Sequence, residues 1–133
     1  SQSAINKIYD QYNDEYPEAE EDKELFMELL NVLNFILKGK KNLQYIAKRK
    51  THFYTLFTLS FYIYRIKLDS ATNYQYVSTK LEEWFAHYKN ETNFENDTVR
   101  ALLDEYRLLS QEGVQKKANR QRRLDILKEY LSA

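Results

Sequence analysis

The chain of 133 residues has no cysteine, only two glycines and only one proline. Without cysteine there is no disulfide framework and no thiolate metal site. With so few breakers, 43% hydrophobic and 30% charged residues argue for helices joined by short polar turns. Histidine is scarce too. His52 and His87 stand outside any His-x-x-x-His or Glu-x-x-His arrangement that would set metal ligands on one helical face. The chain also lacks a glycine-rich phosphate loop and a Gly-x-Ser-x-Gly elbow. No catalytic residue, metal ligand or cofactor is therefore assigned, and the chain is expected to be non-enzymatic. No stretch reads as a signal peptide. The most apolar run, residues 53–66, is interrupted by Thr55, Thr58, Ser60 and Arg65 and is too short to cross a bilayer. The expectation is a soluble, cytoplasmic protein with no membrane partner.

Net charge is lacking as well: 20 bases balance 20 acids. That balance hides a sorted pattern. Residues 1–37 carry nine acids and two bases, and residues 38–67 carry eight bases and no acid. Residues 68–113 hold nine acids and four bases, and 114–133 hold six bases and two acids. Alternating blocks neutralise one another when helices pack, or leave basic surfaces facing an acidic partner. Because the whole chain is neutral, mutual neutralisation is the default expectation.

What is abundant is aromatic: twelve tyrosines, seven phenylalanines and one tryptophan. Ile5, Ile8, Tyr9, Tyr12 and Tyr16 mark one stripe of a first helix, which Pro17 ends or follows with the next. Glu18, Glu20, Glu21 and Asp22 suit the positive end of a second helix. Its apolar face runs from Leu25 to Leu37, and Lys38-Gly39 reads as its stop. A basic connector follows, with a short helical turn predicted around Leu43, Tyr45 and Ile46. Residues 53–64 are apolar on nearly every side; their β-branched and aromatic content suits a strand, but the length favours a buried central helix capped by Thr51. A turn over 69–73 leads to a helix burying Val77, Leu81, Trp84, Phe85 and Tyr88, with Lys80, Glu82, Glu83 and Lys89 outward. Asn96 or Asp97 caps the next, whose stripe is Val99, Leu102, Leu103 and Tyr106 and whose stop is Gly113. The last helix starts near 117–119 and buries Leu124, Leu127 and Leu131. The expected fold is an all-α compact bundle of five to six helices with a buried aromatic central helix, forming a single domain.

Two basic clusters carry the functional interest. Lys38, Lys40, Lys41, Lys48, Arg49 and Lys50 surround a connector holding Tyr45, and Lys116, Lys117, Arg120, Arg122 and Arg123 crowd the start of the last helix. Cations interleaved with aromatics can bind phosphates and stack bases. Arg120 shares i, i+4, i+7, i+11 spacing with Leu124, Leu127 and Leu131, so it is expected on the apolar stripe as a clamp of the helical hairpin, where it must find an acid, a carbonyl or a ligand. Asp104, Glu105 and Tyr106 are candidate partners that Arg123, one turn on, could share.

The segment Arg49-Lys50-Thr51-His52-Phe53-Tyr54-Thr55-Leu56-Phe57 and the segment Ser110 through Leu127, with Gly113, Asn119, Arg120, Arg123 and Leu127 at its marked positions, are similar to two motifs of one family. Together they resemble the C-terminal helical region of GmrSD-like bacterial restriction and phage-defence proteins. The resemblance covers about a fifth of the chain. The family's N-terminal ParB-like domain carries an Asp-Gly-Gln-Gln-Arg motif, and some members add an HNH nuclease; neither motif occurs here. No catalytic role carries over. The resemblance implies a non-catalytic accessory or interaction domain, and with Ser1 in place of Met the chain is expected to be a piece of a larger protein. Its expected partners are the remainder of that polypeptide, a protein subunit, or DNA phosphates. The alternative is an independent nucleic-acid-binding domain. For either, the candidate contacts are Lys48, Arg49, Lys50, Lys116, Lys117, Arg120, Arg122 and Arg123.

Overall fold

The computed structural model describes residues 23–65 and 71–133. The predicted first helix over 5–16, Pro17, the acids at 18–22 and the start of the predicted turn at 69–73 lie outside the described residues. Among the described residues there are six helices and no strand: α1 (Lys23–Leu37), α2 (Lys41–Ile46), α3 (Lys50–Arg65), α4 (Ala71–Asn90), α5 (Asp97–Leu109) and α6 (Lys117–Ser132). This is the expected all-α bundle. α3 lies between α1 and α6, α4 packs on α1 and α2, and α5 pairs with α6. No helix among the described residues is long and apolar enough to cross a membrane.

The central helix α3 buries Tyr54, Leu56, Phe57, Leu59 and Ile63, together with Thr55, Thr58 and Ser60. A helix can bury those hydroxyls because each reaches a carbonyl one turn back. Thr55 donates to the Thr51 carbonyl at 3.1 Å, Thr58 to that of Thr55 at 2.9 Å, and Ser60 to that of Phe57 at 2.6 Å. The β-branched content that suits a strand is thus accommodated with the hydroxyls of Thr55, Thr58 and Ser60 all paired. α3 starts at Lys50, where the Arg49 carbonyl accepts from the Phe53 amide, so Thr51 sits inside the first turn rather than capping it.

Around α3 the core is aromatic. Trp84, Phe85 and Tyr106 are wholly buried. Trp84 meets Tyr106 edge-on at 5.7 Å between ring centroids and tilts onto Tyr130 at 4.6 Å, while Phe26 contacts Phe57 at 5.0 Å. Such offset and edge contacts match the positive rim of one ring to the negative face of another.

Helix ends carry the remaining fold information. Gly39 (φ 73°) turns the chain out of α1 as predicted. Gly113 does not end α5; the helix stops at Leu109, and Ser110 is its C-cap. Asn96 is the local cap of α5, its side chain accepting from the Val99 amide at 3.0 Å. Elsewhere the closing group comes from another helix. Glu82 of α4, expected to face outward, accepts from the amides of Asn42 and Leu43 at 3.1 and 2.9 Å and so caps the N-terminus of α2. Lys80, also expected outward, donates to the carbonyls of Tyr130 and Ala133 at the end of α6. Ser78 closes the end of α1 through the Ile36 carbonyl at 2.5 Å. Arg107 closes the end of α4 through the His87 carbonyl at 2.9 Å. Both ends of the dipole are satisfied by the sign that suits them.

Because the Asn42 and Leu43 amides depend on one carboxylate, Glu82→Ala is expected to lower stability by about 2 kcal/mol, measured by urea denaturation. An unchanged midpoint would show that water replaces the carboxylate without cost.

Candidate functional site

The α5–α6 turn is built around glycine. Gly113 has φ 60°, and a Cβ there would stand 2.8 Å from the Asn119 side-chain nitrogen. That nitrogen donates to the Gly113 carbonyl at 3.0 Å, fastening the turn to the first turn of α6. Arg123, one turn further, is 1% exposed. Its Nη1 donates to the Leu109 carbonyl at 2.7 Å and its Nη2 to the Val114 carbonyl at 2.9 Å. The guanidinium therefore sits at the negative end of the α5 dipole. Burial, countered by nearby Tyr106 and aided by Arg120, pulls its pKa below the usual arginine value.

This corrects two expectations. The buried arginine is Arg123, not Arg120, and of the acid, carbonyl or ligand open to it the partner it finds is backbone carbonyl, not the candidate side chains of Asp104, Glu105 or Tyr106. The buried set of α6 is Arg123, Leu124, Ile126, Leu127 and Tyr130, so the inward face is rotated from the predicted stripe and leaves Arg120 at its edge, half-buried. Arg123 is therefore not a surface contact. Arg122 is also committed. Its Nε and Nη2 pair with both Glu105 oxygens at 2.8 Å, and its Nη1 reaches Glu129 at 2.9 Å. The pairing holds the Glu105 carboxyl below the usual carboxylate range and raises the Arg122 pKa. Here the neutralisation expected between the last two charge blocks is real.

His52 is 3% exposed, with Nδ1 2.9 Å from the Tyr106 hydroxyl and its ring among Phe85, Tyr88 and Tyr106. Burial first, then repulsion from Arg123 and Arg49, lowers its pKa from 6.5 to about 4. His87 lies at the core edge, with Nδ1 2.7 Å from the Thr92 hydroxyl and its ring 4.3 Å from Phe94.

The remaining cations behave differently. Among the described residues, Lys38, Lys40, Lys41, Lys48, Arg49, Lys50, Lys116 and Lys117 make no ion pair. Lys48, Arg49 and Lys50 head α3, and Lys116 and Lys117 head α6. Neither helix has an acid in its first turn, and Lys116 makes no side-chain capping bond. Cations at a helix N-terminus oppose the dipole, at about 0.3–1 kcal/mol each. Packing of α3 on α6 joins these two starts. Lys50, Thr51 and Tyr54 line one side of a small cleft, and Gln115, Arg120 and Arg123 line the other. Arg120 lies with its guanidinium carbon 6.0 Å from the Tyr54 ring centroid and donates to the Gln115 carbonyl. Lys38 and Lys40 are not part of this surface; they line a separate cleft with Phe35, Gln75, Ser78 and Thr79.

Sequence reasoning missed the capping role of Glu82 and the fastening of the turn by Asn119, and it named Glu105 as a partner of Arg120 where the carboxylate pairs with Arg122. The spacing from Gly113 to Asn119 and Arg123 was the one available signal for the turn. Comparison of the chain with family models, curated proteins and solved structures gives no match.

Arg123→Ala should cost roughly 3 kcal/mol, since it strands two carbonyls of a charged clasp, whereas Arg120→Ala should cost less than about 1 kcal/mol. Chemical denaturation of the pair tests this, and equal losses would contradict the assignment of the clamp. For His52 the depressed pKa has a definite sign. Its stabilisation is full above pH 6.5 and is lost as pH falls toward about 4. That is roughly 3 kcal/mol from this group, because the unfolded chain takes up the proton first. His52→Gln should flatten the fall in stability over that interval, read from urea midpoints at several pH values. An identical slope would show that His52 titrates normally in the fold.

Proposed function

We propose that the chain is a non-catalytic helical interaction domain that binds nucleic-acid phosphates through the surface where α3 and α6 begin. The observation that carries this is the meeting of two helix starts, each headed by bases and lacking a first-turn acid, across one cleft. Lys48, Arg49, Lys50, Lys116, Lys117 and Arg120 are its contact residues. Bases held at positive helix ends repel one another and the dipole, and an anion drawn to the surface around the cleft relieves both. Phosphates are the natural polyanion, because each bound cation releases condensed counterions from the strand. Arg122 and Arg123 support the surface from behind. Arg123 sets the angle of the α5–α6 hairpin, and Arg122 ties α6 to α5.

The two segments that resemble GmrSD-like proteins give this domain a setting: an accessory module of a DNA restriction or phage-defence protein. Its non-catalytic character follows from that resemblance, which carries no reacting residue onto this chain. Both segments supply the contact surface, the first through Arg49 and Lys50 and the second through Lys116, Lys117 and Arg120. An accessory module of that kind would deliver a bound strand to chemistry performed elsewhere in the assembly.

The test is binding of a labelled DNA oligonucleotide, followed by fluorescence anisotropy over a range of salt. Affinity should fall steeply with salt. Lys48→Glu combined with Arg49→Glu should weaken binding at least roughly tenfold and flatten the log–log salt slope by about 2. Absence of salt-dependent binding to single-stranded and duplex DNA or RNA at low ionic strength would overturn the proposal.

A further inference from the structure

Resting on the phosphate-binding reading above, we infer that the ligand class is single-stranded nucleic acid, and that Tyr45 is the platform on which one of its bases stacks. The register of α2 turns Tyr45 outward. Leu43 and Ile46, three residues apart, are buried at 0% and 1%, and Tyr45 is left 45% exposed. A large aromatic ring left nearly half exposed beside cations offers open surface to a ligand. It is suited to meet another flat ring.

The surroundings of Tyr45 complete the argument. Its ring shares a cleft with Ile46, Arg49, Tyr88, Lys89, Glu91 and Arg107. The Lys89 ammonium lies 4.5 Å from the Tyr45 ring centroid, and Arg49 makes no ion pair among the described residues. Arg107 is engaged with the His87 and Thr92 carbonyls and with Asp104, so it supplies fixed charge at the back of the cleft. Glu91 is the one acid of the lining. With Arg107 paired to Asp104, Arg49 and Lys89 face that one carboxylate. Arg49 also belongs to the basic start of α3, so a strand lying on Lys48 and Lys50 is led toward Tyr45 without leaving positive surface.

The exchange on binding is favourable in kind. Lys89 now rests against the ring as an exposed cation–π contact. A base can take the ring face while the flexible ammonium moves to the adjoining phosphate. The bases of a duplex are stacked on one another and cannot do this. The geometry thus separates single strands from duplexes, which the phosphate surface alone cannot.

A fluorescein-labelled oligothymidylate of about 12 nucleotides and a duplex of equal length are the probes. At fixed low salt, Tyr45→Ala should weaken oligothymidylate binding roughly tenfold, leave the salt slope unchanged and have little effect on the duplex, while Tyr45→Phe should bind like the parent. Circular dichroism of both variants checks that the exposed substitution preserves the helices. If oligothymidylate binds the parent and Tyr45→Ala equally, with the same salt dependence, the stacking inference fails and the phosphate surface stands. Preference of the parent for the duplex would also overturn it. If neither probe binds the parent, the phosphate-binding reading itself fails, and this inference with it.

Discussion

Helix termini must have their backbone groups satisfied, and in this protein that requirement is met largely by side chains reaching from neighbouring helices. Glu82 closes the start of α2, Lys80 the end of α6, Arg107 the end of α4, Arg123 the end of α5 and Ser78 the end of α1. Each contact does two things at once. It removes a polar group that would otherwise be stranded, and it fixes the angle and register of the helix that supplies the side chain. The bundle is therefore held by directional contacts at its rims as well as by apolar burial at its centre.

Arg123 is the most consequential of these contacts. A guanidinium at 1% exposure needs strong acceptors, and the two carbonyls at the α5–α6 turn provide them where the helix dipole is already negative. Its presence beside His52 has an electrostatic effect as well. Burial disfavours the charged imidazole first and repulsion from Arg123 adds to it, so His52 is kept neutral and joins the aromatic cluster around Tyr106 as one more ring. The charge buried in the fold is thus coupled to the histidine that shares its surroundings. The same clamp fixes the start of α6 against the end of α5, and Arg123 lines the cleft that α6 shares with α3.

The helices of this chain are written plainly in its periodicity. Leu29, Leu33 and Ile36 of α1, Leu81, Trp84 and Phe85 of α4, and Leu102, Leu103 and Tyr106 of α5 all fall on buried faces that spacing alone predicts. α6 is the exception, because a charged residue stands in its buried face. Counting Arg123 as polar and Arg120 as the stripe residue rotates the helix, and only the carbonyls of another segment reveal which arginine is inside. Lys80 and Glu82 mislead in the same way. On a helical wheel they are outward charges, yet their long side chains travel along the surface to the ends of α6 and α2.

Composition and spacing by themselves determined the class of fold, most of the core and the sorting of charge into blocks, because these follow from local periodicity and from residue chemistry. Which charges cancel and which stay open was decided only by tertiary structure. Arg122 meets Glu105 across 17 positions of sequence, and Lys50 comes to face Arg120 across 70, through packing that local periodicity does not encode. Electrostatics between side chains falls off with distance in space, not along the chain, so the surface emerges only when α3 and α6 are brought together.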